Sequence, residues 1–124
     1  MDPTEDVRQA LAEWAEAVRA ADAERAVAGR DVDVVLFDVV PPAVVAGRAA
    51  YRASWELFWE AQGRGQFDVS ALTVVAGEDV AFAYGLITIG APGSEGFPIR
   101  LTVGLRRDGD RWLVQHEHHS PPPG

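Results

Sequence analysis

The chain is 124 residues long and 48% hydrophobic, enough for one core and too short for a second. Eleven arginines and no lysine face 19 acidic side chains, for a net charge of −8, a field that repels phosphate backbones and anionic lipid, so neither a nucleic-acid nor a membrane partner is expected. No stretch reaches the roughly 18 uncharged apolar residues of a membrane span, and the absence of cysteine excludes disulfides, thiol nucleophiles and cysteine-held metals.

Met1-Asp2-Pro3-Thr4-Glu5-Asp6 is acidic where a signal peptide is basic and then apolar, so a cytoplasmic location is expected. Asp2-Pro3-Thr4-Glu5 also reads as a helix start. Asp2 can accept from free amides, Pro3 suits the first position, and Glu5 can reach back to close a capping box. Val7, Leu11, Trp14, Val18 and Ala21 then recur on one helical face. Asp22 is expected to cap a short second helix that stops at Gly29. The β-branched run Val32 to Val39 predicts a strand, ended by Pro41-Pro42. After Gly47 a second helical pattern places Tyr51, Trp55, Phe58 and Trp59 on one side, and Gly63-Arg64-Gly65 closes it.

The remainder reads as β. Gly77-Glu78-Asp79 separates Phe67 to Ala76 from Val80 to Ile89, and a loop from Gly90 to Gly96 precedes a strand from about Ile99 to Arg106. Asp108-Gly109 is a hairpin signal leading into a last strand from Arg111 to about Ser120. Pro121-Pro122-Pro123-Gly124 is expected to be a disordered tail. This order predicts an α+β fold in one domain over residues 1–120, with helices on one face of an antiparallel sheet.

Two polar features stand out. Asp38 ends its predicted strand, where alternation groups it with Val32, Val34 and Leu36. A carboxylate among apolar neighbours has its ionised form destabilised and suits proton abstraction; alternatively Asp38 is a turn former bonding amides before the prolines. All three histidines lie in His116-Glu117-His118-His119, where His116 and His118 share one face and Glu117 and His119 the other. Which pair faces inward is left open by the apolar pattern. Each face offers two candidate ligands where a typical zinc site takes three or four, so no metal is expected. There is no phosphate loop, nucleophile elbow or Walker motif in the sequence, and no organic cofactor is expected. Among the aromatics, Trp14 and Tyr84 carry donors that a pocket could use.

The order of elements resembles the nuclear transport factor 2-like superfamily, whose curved sheet wraps around helices as a cone with one deep pocket. Phe37-Asp38 through Gly47-Arg48-Ala49-Ala50-Tyr51-Arg52 is similar to ketosteroid isomerases and SnoaL-like polyketide cyclases. Arg106-Arg107-Asp108-Gly109, Trp112 and His116-Glu117-His118-His119-Ser120 resemble the end of the calcium/calmodulin-dependent protein kinase II association domain. The resemblance implies that Asp38 is a general base beside a ketone. It places Trp14 and Thr102 where the isomerases carry acidic oxyanion donors, Tyr84 and Trp55 on the pocket wall, and Glu117 and His119 turned inward. An indole and a threonine are far weaker acids than the donors they replace.

Two functions follow from these features. One is a cofactor-independent isomerase or cyclase-like enzyme acting through Asp38 on a small apolar, carbonyl-containing ligand. The other is a non-catalytic ligand-binding or dimerisation module. A homodimer is expected in either case, through an outer sheet face carrying Trp112, Val114, His116 and His118.

Overall fold

Local capping sets the helix starts. In the computed structural model, which describes residues 2–63 and 65–123, Asp2 Oδ1 accepts from Thr4 N at 2.9 Å and opens α1 (Pro3–Arg19). Asp22 likewise accepts from Arg25 N and opens α2 (Ala23–Ala28). The predicted return bond from Glu5 is not present among the described residues; Asp2 holds the first turn alone. Val7, Leu11, Trp14 and Val18 are buried as the stripe requires. Ala21 lies past the helix end with φ 54°, where it turns the chain into α2.

The strands follow as β1 (Arg30–Phe37), β2 (Val45–Ala46), β3 (Gln66–Ala76), β4 (Val80–Gly90), β5 (Phe97–Asp108) and β6 (Arg111–Ser120), with α3 (Arg48–Gln62) between β2 and β3. Strand β1 begins and ends two residues earlier than the β-branched run suggests, and the two-residue β2 has no sequence signal. Met1, Arg64 of the predicted helix stop and Gly124 of the predicted tail lie outside the described residues. No described helix is long and apolar enough to cross a membrane.

One six-stranded sheet has the order β2-β1-β6-β5-β4-β3. Its pairs are antiparallel except β1 with β6, which are parallel. The protein is therefore α+β, with helices on the inner face of a curved, mainly antiparallel sheet.

Three irregularities set the curvature and decide which side chains face in. On β6, one extra residue separates Val114, paired with Leu105, from His116, paired with Gly104. This bulge at Gln115 reverses the alternation, so Trp112 and Val114 are buried with the core while His116 and His118 stay on the outer face. The expected grouping of all four on that face is corrected accordingly. On β1 a longer irregularity lies between Arg30 and Val35. It buries both Arg30 and Asp31 and leaves Val32 63% exposed, so Val32 does not share the inward face of Val34 and Leu36.

The third bulge bends β3 at Ala71, whose φ is 53°. Directly opposite, Gly85 lets the strands approach: a Cβ there would lie 2.8 Å from Ser70 O and 3.2 Å from Leu72 Cα, both backbone atoms. The core then fills the concave side. Trp14 meets Phe67 and Trp55 edge-on at 5.4 and 6.0 Å between ring centroids, geometries that aromatic quadrupoles favour.

Gly85→Ala is expected to lower unfolding free energy by about 1–3 kcal/mol, since fixed backbone must move to admit the methyl group. Gly104→Ala is the control, because its nearest contact is 3.9 Å away. Urea unfolding of both variants checks this; equal stabilities would show that the bend is not held by the close approach.

Candidate functional site

The inner faces of β3, β4 and β5, the helix α3 and the loop 38–44 enclose a cavity of about 710 Å³. That is within the range of sites that bury a drug-sized molecule. Phe67, Ile87, Ile99 and Trp55 are buried and form its floor, whereas Val40, Val44, Leu57 and Phe97 are more than half exposed around its mouth. Most of the lining is apolar, and the polar groups include Asp38 and His119.

Asp38 lies one residue past β1, with its side chain 22% exposed, and lines the cavity. Both readings of this residue meet here. Its Oδ1 accepts from Val39 N at 2.8 Å, as a turn former would, and lies 3.4 Å from His119 Nδ1. Oδ2 has no hydrogen-bond partner among the described residues.

His119 is 6% exposed, and its Nε2 is 2.6 Å from Glu117 Oε2. Glu117 is wholly buried behind it and does not reach the cavity wall. There Arg30 Nη2 donates to Glu117 Oε1 at 2.7 Å and Tyr51 Oη donates to the same oxygen at 2.9 Å. Tyr51 Oη in turn accepts from Arg30 Nε and Trp14 Nε1 at 2.8 and 3.0 Å. The Arg30 guanidinium also stacks over the Trp14 ring, 4.7 Å from its centroid. Both Glu117 oxygens, the Tyr51 hydroxyl and the Trp14 indole N–H have partners within this cluster, as a buried charged network requires.

Burial alone would disfavour the His119 cation, but Asp38 and Glu117 on its two nitrogens outweigh it and raise its pKa to about 9. Burial likewise opposes the Glu117 carboxylate, and Arg30 and then His119 overcome it, lowering the pKa to about 2. Burial holds the Tyr51 phenol well above its usual range, so it remains a neutral donor. The cluster reads Arg30 positive, Glu117 negative and His119 positive, with the Asp38 carboxyl group beside the imidazole.

The structure therefore brings Asp38, His119 and Trp55 to the cavity and sets Glu117 and Trp14 one layer behind it. Tyr84 and Thr102 do not belong to the site. They pair with each other across β4 and β5 and are exposed on the outer face, because Ala81, Ala83, Leu101 and Val103 take the inward positions. The resemblance-implied register is thus off by one residue on both strands; the Ala81-Phe82-Ala83-Tyr84 alternation separates two faces without saying which of them turns inward. Trp14 is corrected for a different reason: its indole N–H is spent on Tyr51. Arg30 and the polar role of Tyr51 were not expected at all. Among the described residues no group of three potential ligands is placed to hold a metal ion, and Trp55 Nε1 is buried without a hydrogen-bond partner.

The raised His119 pKa has a definite sign in stability. Its contribution is fully present below the ordinary value of 6.5 and is lost as pH rises through about 9. The Glu117 contribution is present above 4.5 and lost as pH falls through about 2. Urea midpoints should decline between pH 6.5 and 9.5, and His119→Gln should flatten that decline; an equal decline in the variant would assign it to other groups.

Residues 7–123 match the SnoaL-like domain family. Among solved structures, a nuclear transport factor 2-like protein of unknown function from Pseudomonas putida is 35% identical, with a TM-score of 0.91 over 98% of this chain and 87% of that one. A protein provisionally named a dehydratase of the same family, from Streptomyces avermitilis, is 22% identical with a TM-score of 0.83 and covers 98% of each chain. One provisionally named a calcium/calmodulin-dependent protein kinase type II association domain, from Thiobacillus denitrificans, is 24% identical with a TM-score of 0.79 over 92% of this chain and 93% of that one. The last two likenesses are of fold alone. No curated protein matches the chain. The chain belongs to the SnoaL-like domain family, within the nuclear transport factor 2-like superfamily.

Proposed function

We propose that this is a cytoplasmic, cofactor-independent enzyme of isomerase or polyketide-cyclase type, with Asp38 as general base on a small apolar carbonyl compound. The observation that carries this reading is the Asp38 carboxylate at the wall of an apolar cavity, held through Oδ1 with Oδ2 left without a protein partner. A base needs such an oxygen within reach of a bound C–H group. Proton transfer between carbons beside a ketone consumes nothing, so the side chains at hand supply all the chemistry it requires.

A non-catalytic ligand-binding or dimerisation module is the second reading, and the outer sheet face favours its dimerising role. There Phe82, Tyr84 and Leu86 on β4 and Val75 on β3 are 38–50% exposed. Thr73, Tyr84, Thr102, His118 and Phe37 line up across five strands. An apolar face of this kind suits burial against a second copy, and a homodimer is compatible with either reading.

With 2-tetralone as an apolar ketone probe, exchange of the C1 protons in deuterated buffer, followed by NMR, is expected to be catalysed. Asp38→Asn keeps shape and hydrogen bonding but removes the base, so exchange should slow 10²–10⁴-fold, as an order-of-magnitude expectation, with little change in probe affinity. Undiminished exchange in that variant leaves the binding-module reading. Light scattering at neutral pH and micromolar concentration should give the mass of two chains, and Tyr84→Glu should halve it; a monomeric parent protein excludes the dimer.

A further inference from the structure

Enolisation needs a donor for the oxygen as well as a base for the carbon. Two uncharged donors of the cavity lining, Trp55 Nε1 and Gln62 Nε2, have no hydrogen-bond partner among the described residues; the other donors around Asp38 are almost all committed. Arg30 is 2% exposed and spends Nε and Nη2 on Tyr51 and Glu117. The Tyr51 hydroxyl donates to Glu117, and Ser54 Oγ, on the cavity wall, donates to Tyr51 O at 2.6 Å. Trp14 lies behind the wall and Thr102 on the far face of the sheet. His119 differs. Its Nε2 is turned back to Glu117, so its Nδ1 lies on the side of Asp38 and the cavity. At 3.4 Å from Asp38 Oδ1, that N–H is an ion-pair neighbour beyond good hydrogen-bond length.

We infer that His119 is the electrophile of the site: its Nδ1–H donates to the carbonyl oxygen of a bound ketone while Asp38 Oδ2 removes the adjacent proton. This rests on the reading of Asp38 as the base. In the step, the C–H bond breaks and the proton goes to Asp38. The bonding pair forms a carbon–carbon double bond, the carbonyl π pair moves to oxygen, and the resulting enolate faces the imidazolium. Return of the proton to the same carbon or to one conjugated with it restores the carboxylate, and no co-reactant is consumed.

The buried network suits this step because the total charge does not change. Negative charge leaves Asp38 and arrives on the ligand oxygen, and the same cation faces both. Asp38 and Glu117 together favour the protonated ring, and Arg30 and then His119 keep Glu117 ionised, while Tyr51 donates to the same carboxylate oxygen as Arg30; Glu117, Arg30 and Tyr51 are positioning residues. A fixed cation in a water-poor cavity stabilises developing charge without reorganisation. The Trp55 ring, 6.0 Å from the imidazole centroid, shields it from water. The ligand class follows: a neutral, largely apolar ketone entering carbonyl-first, with its apolar remainder toward the mouth formed by Val40, Val44, Leu57 and Phe97.

The test uses 2-naphthol, whose anion has its own absorption band, and naphthalene, which has the same body without the oxygen. In the Asp38→Asn protein, where the amide stands in for the protonated base, bound 2-naphthol should carry the anion band at pH 7, at which the free compound is neutral. Adding His119→Gln should abolish the band and weaken 2-naphthol at least tenfold, while naphthalene affinity changes less than twofold and so reports an intact cavity. A second measurement needs no change at His119: in the parent protein, the ¹⁵N resonance of His119 Nδ1 should shift with 2-naphthol and stay in place with naphthalene. An anion band that survives His119→Gln, or a silent Nδ1 resonance with 2-naphthol bound, overturns the assignment. Absence of the anion band from the Asp38→Asn protein, with tetralone exchange still dependent on Asp38, refutes the electrophile and spares the base. Failure of naphthalene to bind the parent protein overturns both.

Discussion

The buried ion pair between Arg30 and Glu117 is the constraint on which the rest depends. It joins the first residue of β1 to the middle of β6, 87 positions apart in sequence, inside the sheet's one parallel pairing. Taking two charges out of water is expensive, and their attraction compensates only when every remaining polar atom is satisfied. Tyr51 from α3 and Trp14 from α1 contribute to that condition. Four elements are thereby tied at one point, and loss of one partner would leave an uncompensated charge, a defect that costs about 3–5 kcal/mol in buried pairs.

That same pair orients the cavity. In the pairing of Leu36 with Glu117 and Phe37 with His118, a slip of one residue would send Glu117 and His119 to the outer face. The ion pair penalises the slip because Arg30 would then be buried alone. His119 is held at Nε2 by the anchored carboxylate, so its ring presents Nδ1 beside Asp38. A charge arrangement that sets strand register thus also prepares the polar corner of an otherwise apolar cavity. Its alternating signs let a buried imidazolium stand 3.4 Å from the Asp38 carboxyl group.

Irregularity has an equally physical role. Regular strands would have left Trp112 and Val114 on the face of His116 and His118. The bulge at Gln115 instead gives the core two more side chains and retains the histidines outside. The bend at Ala71 and its opposing Gly85 draw β3 and β4 together where the sheet curves around α1. Cavity volume follows from these bends, since a flat sheet would leave no hollow beneath α3.

What the sequence determined by itself was local. Caps at Asp2 and Asp22, the Trp14 and Tyr51-Trp55 stripes, the Asp108-Gly109 hairpin and the alternating strands are legible because each signal is contained within a few residues. Asp38 was legible as a candidate for the same reason, standing where an apolar strand ends. Tertiary structure alone decided which pair of the His116-Glu117-His118-His119 run faces inward. It also placed Tyr84 and Thr102 outside, and made Arg30 and Tyr51 part of the site. Parity along a strand is only relative: one bulge inverts it, and the face that turns in is chosen by what the opposite layer can bury. A buried arginine has no signature in its own neighbourhood, because the carboxylate and the phenol that make its burial tolerable arrive from a distant strand and another helix.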